Sequence, residues 1–383
     1  MRKELALTRA IPGSTLGLGG ELKNTLCCVT GKKAYLSGTF SDLKDAEVFD
    51  GWLTAVESMP EACGMIPESI AYDLHPEYLS HKAAKRADLW PGVLRAGIQH
   101  HEAHVASCAA AEGIWHTTLG LAFDGTGYGT DGTIWGGEIF SGSIEKGFKR
   151  TGRFRPFVLP GGEAAIREPW RLAAGLACEA ELPDIERYWP DSVGREQWEI
   201  VIRLCRTETI PRIMTSSAGR LFDGISALLG ICTHAGMEAE AAIALERAAG
   251  VEAVHRRYTL QVTETAGILE IDWRPMIREI DSDLRAGIRG AAIAAAFHDS
   301  LAATVAEVCA DNASREGTVV GSGGVFWNKR FSKVLGKELE LRKLQLITSG
   351  SIPPSDAGLS LGQAVLAGFR GTITSTGRNQ LCV

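Results

Sequence analysis

The sequence predicts an α/β protein built of two lobes, and three observations support this. The chain has 383 residues, which is more than one ordinary domain needs. A strand, glycine loop and strand occur in that order twice, at residues 15–38 and 118–140, and both copies open with Thr-Leu-Gly-Leu. Strand and helix patterns alternate between the copies. A duplicated unit of this size is typical of an actin-like, or ribonuclease-H-like, pair of lobes.

The repeat places the boundary between the lobes near residue 115. We expect a first lobe at 1–115 and a second at 116–383, with an insertion around 150–215. The C-terminal helix is a candidate to pack back on the first lobe. Each hairpin is expected to bring a glycine loop to a phosphate between the lobes.

Composition restricts the function classes. The chain is 45% hydrophobic and 22% charged, which is ordinary for a globular protein, and its net charge of −6 argues against a broad nucleic-acid surface. Nine cysteines without a C-x-x-C pair are interpreted as free thiols in a reducing compartment. The sequence has no signal-peptide pattern and no apolar run of about 20 residues. We therefore expect a cytoplasmic protein with neither a nucleic acid nor a membrane as partner.

The first lobe is predicted to open with three strands. A glycine loop at 17–20 separates the first two, and residues 31–33 (GKK) indicate a tight turn before the third. Residues 69–73 predict a further strand. The segment 99–104 (QHHEAH) then opens an alanine-rich helix.

Two histidines in that helix are the main candidates for metal binding. His100 and His104 stand four residues apart and share one helix face, so both can bind one ion with a third ligand from elsewhere. An isolated pair of this kind is more often a surface or core pair, but a third histidine and a following acid–glycine turn favour the metal. The zinc-protease motif is absent, because the next histidine after His101-Glu102 comes at i+3.

The second hairpin carries an acid at the end of an apolar strand. Asp124 can hold a cation or its water, and Gly125 and Gly127 let the backbone approach a phosphate. Further on, residues 159–171 form a loop with two arginines, which predicts either solvated Arg–Glu pairs or guanidinium groups near the ligand. Residues 216–226 indicate a serine-capped helix, where Arg220 near the N-terminus favours a phosphate.

The last third of the chain adds two candidate site segments. Alanine-rich helices at 238–249 and 288–312 are interpreted as scaffold. Residues 317–328 predict a strand, a loop with Gly323 and Gly324, and a helix, which would be a third loop contacting phosphate or nucleoside. Asp356 precedes the final helix and is either its N-cap or the third metal ligand. A His-His-Asp set with open positions suits Fe(II), Zn²⁺ or Mn²⁺.

Seven ordered motifs resemble the C-terminal, Kae1-like half of the HypF carbamoyltransferases of hydrogenase maturation. They are HHEAH at 100–104, DGTGYG at 124–129, WGGE at 135–138, REPWR at 167–171, SAGRLFD at 217–223, SGGVFWN at 322–328 and DAGLSLGQA at 356–364. The resemblance covers nearly the whole chain. It implies a Kae1-like, ASKHA-type pair of lobes with nucleotide and metal between them.

The resemblance also implies the site residues and the cofactors. The expected metal ligands are His100, His104 and Asp356, with Asp124 beside or on the metal, and the metal is expected to be Fe(II) or Zn²⁺. ATP or carbamoyl-adenylate is the expected nucleotide, and Mg²⁺ is a candidate to accompany it. The adenylate is expected to lie among Arg220, Asp223, Gly323, Gly324 and Asn328.

The activity implied is transfer of a carbamoyl group from carbamoyl-adenylate to the C-terminal cysteine thiolate of HypE. Full-length members carry acylphosphatase, zinc-finger and YrdC-like domains before this half, and those domains generate the adenylate. The expected suppliers here are therefore a full-length HypF or separate YrdC-like and acylphosphatase domains. Two positions depart from the family pattern: its Tyr-Glu-Gly-Gln is residues 237–240 (MEAE), and the Asp of its Gly-Gly-Asp loop is Glu163.

Two alternative functions stay open at this point. One is a carbamoyltransferase acting on the hydroxyl of a small molecule. The other is a non-catalytic, nucleotide-binding protein that docks HypE. A threonylcarbamoyl transferase acting on tRNA is disfavoured by the acidic composition.

Overall fold

The computed structural model describes residues 3–86, 88–207, 211–252, 254, 256–313 and 317–376. The strands are β1 Lys3–Gly17, β2 Leu22–Asn24, β3 Cys27–Leu36, β4 Phe40–Asp42, β5 Ser69–Asp73, β6 Leu94–Ile98, β7 Thr118–Tyr128, β8 Ile134–Ser143, β9 Gly147–Phe154, β10 Phe157–Val158, β11 Met214–Thr215, β12 Gln261–Thr265, β13 Ile268–Asp272, β14 Thr318–Ser322 and β15 Gln345–Thr348. The helices are α1 Ala46–Ala62, α2 Leu79–Ala84, α3 His100–Ala111, α4 Ala164–Arg167, α5 Trp170–Glu179, α6 Arg195–Arg206, α7 Ala218–Leu228, α8 Glu240–Ala249, α9 Arg274–Arg285, α10 Gly290–Asn312, α11 Lys329–Leu341 and α12 Leu359–Thr376. Short 3₁₀ turns lie at Ile185–Tyr188, Gly324–Trp327 and Asp356–Gly358.

Two sheets with the same central order form the two lobes. In the first sheet the order is β3-β1-β5-β6, where β1 and β3 are antiparallel and β5 and β6 run parallel to β1. In the second, β8-β7-β14-β15 repeats this arrangement, and β9, β13 and β12 extend the sheet beyond β8. The predicted two-lobed α/β fold with duplicated hairpins is therefore confirmed.

Both hairpins are more continuous than the sequence indicated. The predicted tight turn at 31–33 is wrong, because β3 runs through it and Gly31, at φ 55°, pairs with Ile11 at a register shift. Likewise, β7 does not end at Asp124. It continues to Tyr128 after a register shift between Phe123 and Gly127. Glycine supplies the unusual backbone geometry of a bulge as readily as that of a turn.

The segment interpreted as an insertion shares the core of the second lobe. Residues 150–154 belong to β9, which pairs with β8 in the main sheet. Farther along, α5 and α6 bury Trp170 and Trp198 in the hydrophobic cluster that also contains Phe123 and Phe154 of the sheet. Helix α5 packs on α7, which carries candidate site residues, and α6 packs on α5.

Helices α3 and α12 connect the lobes. The final helix α12 packs on α3 and on β1, β3 and β5 of the first sheet, although it follows β15 of the second. The two helices cross at Gly362, where an added Cβ would lie 1.9 Å from the Ala103 carbonyl oxygen. On its other side α3 contacts β7 and β14, so residues 100–110 are buried.

One helix among the described residues is long and apolar enough to cross a membrane. This helix is α10, and 83% of its most apolar 18-residue window is buried inside the protein. Such burial is typical of a core helix in a globular fold.

Candidate metal and nucleotide site

The metal site begins at the N-terminus of α3. The Gln99 side chain accepts a hydrogen bond from the Glu102 N–H at 2.9 Å and caps the helix. Serine, threonine, aspartate or asparagine usually fills this position. The helix then places His100 and His104 on one face, with ring centroids 5.0 Å apart. Both rings are almost completely buried.

Four side chains from three distant segments converge here. His100, His104, Asp124 and Asp356 each offer a ligand atom, and these atoms lie within 4.8 Å of one another. The Nε2 atom of His104 is 3.4 Å from Asp124 Oδ2 and 3.6 Å from Asp356 Oδ1, and the corresponding distances for His100 are 3.6 and 3.8 Å. The structure therefore brings the four predicted ligands together.

The donor set fits a divalent cation. Although both are buried, the Nε2 atoms of His100 and His104 have no hydrogen-bond partner among the described residues. Buried polar atoms of that kind are rare without a ligand. The other nitrogen of His100, Nδ1, lies 2.8 Å from Asp73 Oδ2, which orients the ring and leaves Nε2 free to bind.

Asp124 owes its position to the bulge in β7. Its Oδ1 accepts a hydrogen bond from the Gly324 N–H at 2.9 Å, so Oδ2 faces the imidazoles. The adjacent Gly323 has φ 100°, and an added Cβ would lie 2.2 Å from the Phe123 carbonyl oxygen. The glycine loop after β14 thus holds a candidate metal ligand by close backbone approach.

Asp356 lies on the other side of the site. It opens a 3₁₀ turn before α12, and the structure shows no side-chain capping bond there. Its side chain is 23% exposed, which gives the cluster a route to solvent. The ligand alternative for this residue is therefore favoured over the N-cap.

Charge in the cluster is strongly coupled. Burial lowers the pKa of His100, but Asp73, Asp124 and Asp356 outweigh it and raise the pKa well above its usual value. For His104 the pKa is also raised, because Asp124 and Asp356 outweigh burial. In the same way the two imidazoles overcome burial and hold the pKa of Asp124 well below its usual value. The site can therefore keep Asp124 ionised in a buried setting.

His101 and Gly127 form a packed layer behind the ligands. Burial lowers the pKa of His101 well below its usual value, and its Nδ1 is 3.2 Å from Gln99 Nε2. A Cβ at Gly127 would lie 2.4 Å from His101 Cε1 and 2.7 Å from His100 Cδ2. Glycine at 127 is thus required by packing against the imidazoles.

The N-terminus of α7 adjoins the metal site. Ser217 caps the helix by accepting from the Arg220 N–H, and its hydroxyl contacts the Asp124 and Gly125 carbonyl oxygens at 2.8 and 2.5 Å. Arg220 pairs with Asp223 at 2.7 Å, and both side chains are buried. Arg220 Nε and Asp223 Oδ1 have no hydrogen-bond partner among the residues that the structure describes. This pair can therefore offer a donor and an acceptor to a ligand.

Other predicted contacts are used within the protein. Asn328 caps α11 by accepting from the Phe331 N–H at 2.8 Å, and its Nδ2 is 3.0 Å from His298 Nε2. In the first hairpin, the Gly19 N–H donates to Gln363 Oε1 at 2.8 Å. Arg171 forms an ion pair with Glu168 at 2.6 Å, which is the simpler of its two predicted roles.

Sequence reasoning missed the supporting role of Asp73. Asp73 is the last residue of an apolar strand, β5, and Asp124 likewise follows an apolar stretch of β7. An acid directly after apolar strand residues was therefore a signal that the sequence contained. The residues after it, 74–78 (LHPEY), place His75 and Tyr78 beside the site. Residues 72–80 also resemble the family, but the sequence predicted no role for either residue.

Two lobes with duplicated hairpins, and an imidazole–carboxylate cluster between their sheets, define a Kae1-like protein of the ASKHA class. Residues 120–363 match the family described as carbamoyltransferase, Kae1-like domain, second subdomain, and residues 11–111 match the HypF Kae1-like domain. The chain therefore belongs to the HypF carbamoyltransferase family and corresponds to its Kae1-like part.

Similar proteins agree with this assignment. A carbamoyltransferase HypF homolog of Cupriavidus necator is 34% identical, and the alignment covers 92% of this chain and 91% of that protein. Carbamoyltransferase HypF2 of the same organism is 33% identical over 95% of this chain but only 48% of its own length. This chain thus spans about half the length of most curated relatives it matches.

Solved structures confirm the fold. A full-length HypF in its phosphate- and nucleotide-bound form superimposes with a TM-score of 0.86 at 31% identity, covering 96% of this chain and 57% of that one. HypF of T. kodakarensis gives a TM-score of 0.85 at 26% identity, with 96% and 49% covered.

Proposed function

We propose that this chain transfers a carbamoyl group from carbamoyl-adenylate to the C-terminal cysteine thiolate of HypE. Family membership supports the carbamoyltransferase class, and the nucleotide in a related structure supports an adenylate as donor. The observation that carries the proposal is the pair of buried, unpartnered Nε2 atoms of His100 and His104, which face two carboxylates. The adenylate would come from a YrdC-like domain in another chain or in a full-length HypF.

The metal ligands have a defined chemical task. His100, His104, Asp124 and Asp356 would hold a divalent cation, Fe(II) or Zn²⁺, which when bound supplies Lewis-acid polarisation of the carbamoyl or phosphate oxygen. Asp73 fixes the tautomer of His100 through Nδ1.

The adenylate itself is proposed to lie on the α7 side of the cluster. There the Arg220 guanidinium stabilises the departing phosphate, and Asp223 accepts a hydrogen bond from the nucleoside. Ser217 keeps this helix against the bulge that carries Asp124.

The bond changes need no nucleophile from this chain. The acceptor thiolate attacks the carbamoyl carbon, a C–S bond forms, and the C–O bond to phosphate breaks, so AMP leaves with the electron pair. Burial raises the pKa of Cys108, a thiol of α3, to about 12, so it stays protonated and unreactive at neutral pH. The mixed anhydride is already activated, so positioning and charge stabilisation suffice.

The substitution His104→Ala tests the proposal. It removes one of four ligands, so we expect carbamoylation of HypE to fall at least a hundredfold, as when supporting groups of metal sites are lost. Purified carbamoyl-adenylate and HypE are mixed with the protein, and mass spectrometry counts the carbamoyl groups added to HypE. The exposed His116, between α3 and β7, gives the control variant His116→Ala.

Two results would contradict the proposal. One is undiminished transfer by the His104→Ala protein. The other is a wild-type protein that binds HypE and adds nothing to its mass, which would support the docking alternative. Carbamoylation of a small-molecule hydroxyl with HypE left unmodified would support the other alternative, a carbamoyltransferase that acts on small molecules.

A further inference from the structure

Three rings stand together at the edge of the metal site, and we call them the aromatic wall. His75 stacks on Tyr78 with ring centroids 4.1 Å apart and an angle of 6° between the planes. Tyr128, at the end of β7, packs against His75 with ring centroids 5.4 Å apart and an angle of 62° between the planes. All three side chains are partly exposed, so the wall is open to solvent.

The wall is attached to the metal site through Asp73. One oxygen of that carboxylate lies 2.8 Å from His100 Nδ1, and the other accepts the His75 backbone N–H at 2.9 Å. A point at the Cβ position of Gly20 lies 3.7 Å from Asp356 Oδ2 and 3.9 Å from Tyr78 Cε2. Tyr78 and Asp356 therefore both line the space beside Gly20.

The wall and the adenylate side occupy different ends of the β7 bulge. At one end, a Cβ on Gly125 would be 3.7 Å from the Arg220 guanidinium. In the middle, Gly127 packs against the His100 ring, and at the other end Tyr128 meets His75. A ligand at the wall would thus approach the metal ligands from the side away from Arg220.

The polar atoms of the wall are hydrogen-bond donors. His75 Nδ1 accepts from the Glu77 N–H at 3.2 Å, which leaves Nε2 as the protonated nitrogen of the neutral ring. The Tyr78 hydroxyl is a phenol, which carries its proton at neutral pH and can donate a hydrogen bond. Two donors suit a short peptide segment, whose carbonyl and carboxylate oxygens accept hydrogen bonds.

We propose that the aromatic wall binds the terminal peptide segment of the acceptor and so directs its thiol toward the metal ligands from the side opposite the adenylate. This inference rests on the proposed function for the identity of the acceptor. His75 and Tyr78 act here in recognition of the acceptor, and Tyr128 supports the His75 ring.

The test measures peptide binding separately from transfer. A fluorescein-labelled peptide with the C-terminal sequence of HypE is titrated with the protein, and anisotropy gives its Kd. Tyr78→Phe keeps the ring and removes one hydrogen bond, so Kd should rise about threefold to tenfold. His75→Ala also removes the stacked ring and should raise Kd more. Tyr35→Phe, on β3 of the first sheet, is the matched control and should leave Kd unchanged.

Each outcome bears on only one of the two proposals. Failure of the wild-type protein to bind the peptide, an unchanged Kd in both wall variants, or an equal weakening of ATP binding would overturn the inference. Peptide binding that the wall variants weaken, in a wild-type protein that transfers nothing, would support the wall and contradict the proposed function. Transfer to HypE with a KM that neither variant changes would support the proposed function and contradict the role of the wall.

Discussion

Single residues behind the site determine how firmly its ligands are held. Asn328 illustrates this, because the sequence assigned it to the adenylate and the structure uses both ends of its amide internally. Asn328 fixes the start of α11 against His298 in α10. It also lies four residues after Gly324, whose N–H holds Asp124 in place. His298 is itself fully buried, and its Nδ1 lies 2.7 Å from the Ala294 carbonyl oxygen. The ring must therefore be neutral with its proton on Nδ1, since Nε2 accepts from Asn328.

This arrangement predicts acid sensitivity. Burial lowers the pKa of His298 to about 4, whereas the unfolded chain protonates this ring below a pH of roughly 6.5. The stabilisation from the neutral ring is therefore fully present above pH 6.5 and is lost as the pH falls toward 4. Between pH 7 and pH 4.5 the loss should be roughly 2–3 kcal/mol.

The variant His298→Gln isolates this contribution. Its amide can still donate to Ala294 and accept from Asn328, but it does not titrate. Urea denaturation at pH 7 and pH 4.5 should show that the variant loses about 2 kcal/mol less of its free energy of unfolding than the wild type. An equal loss in both proteins would mean that other groups dominate the acid response.

At the scale of elements, sequence patterns located helices well and strand ends poorly. The helices predicted at 238–249 and 288–312 begin within two residues of α8 and α10, and the strand predicted at 69–73 is β5. Periodic apolar positions explain this success, because they are local. The continuation of β3 through Gly31 and of β7 to Tyr128 could not be predicted, because a bulge is defined only against its partner strand.

Contact between α3 and α12 sets the distance between the histidines and Asp356. A Cβ at Gly362 would lie 1.9 Å from the Ala103 carbonyl oxygen and 2.9 Å from the Ser107 amide nitrogen, and backbone atoms cannot yield as a side chain can. Gly362→Ala should therefore separate the helices and destabilise the protein by about 1–3 kcal/mol. Because Asp356 directly precedes α12, the affinity for Zn²⁺ should fall as well.

A second helical glycine serves as a control, because it separates the effect of a clash at the α3–α12 crossing from the general effect of alanine in a helix. Gly336 lies inside α11, where an added Cβ would meet Leu346 Cδ2 at an ordinary 3.9 Å. Gly336→Ala should leave Zn²⁺ affinity unchanged and stabilise the protein by up to about 1 kcal/mol. Thermal unfolding and zinc titration of both variants provide the comparison, and identical behaviour would refute the role assigned to the crossing.

At the scale of the whole molecule, the duplicated hairpin order was sufficient to predict two lobes, and the ligand types indicated which side chains would converge. The histidine pair of α3 and Asp356 are far apart in sequence, yet the structure brings their ligand atoms together. The closing contacts between the lobes had no such signal. The Gly19–Gln363 hydrogen bond and the ion pair of Lys23 with Glu238 depend on how the finished lobes pack.

The Lys23–Glu238 pair lies near α7, on the side proposed for the nucleotide. Lys23 Nζ is 2.6 Å from Glu238 Oε2, and both side chains are exposed. Lys23 belongs to β2, which contacts the Asp356 turn, whereas Glu238 precedes α8, which packs on α7 with Arg220. Lys23 has φ 49°, and Ala239, next to Glu238, has φ 57°, so both ends contain a residue in a conformation that costs about 1–2 kcal/mol.

Charge reversal shows whether this pair delays nucleotide release. An exposed pair contributes up to about 1 kcal/mol, so Lys23→Glu should speed dissociation of a fluorescent ATP analogue by up to about fivefold in stopped-flow measurements. The double variant Lys23→Glu/Glu238→Lys restores opposite charges and should return the rate to that of the wild type. In roughly 1 M salt, where screening acts over about 3 Å, all three proteins should release the nucleotide at similar rates. A double variant as fast as the single one would show that Lys23 acts alone, because only a pair is rescued by exchanging its charges.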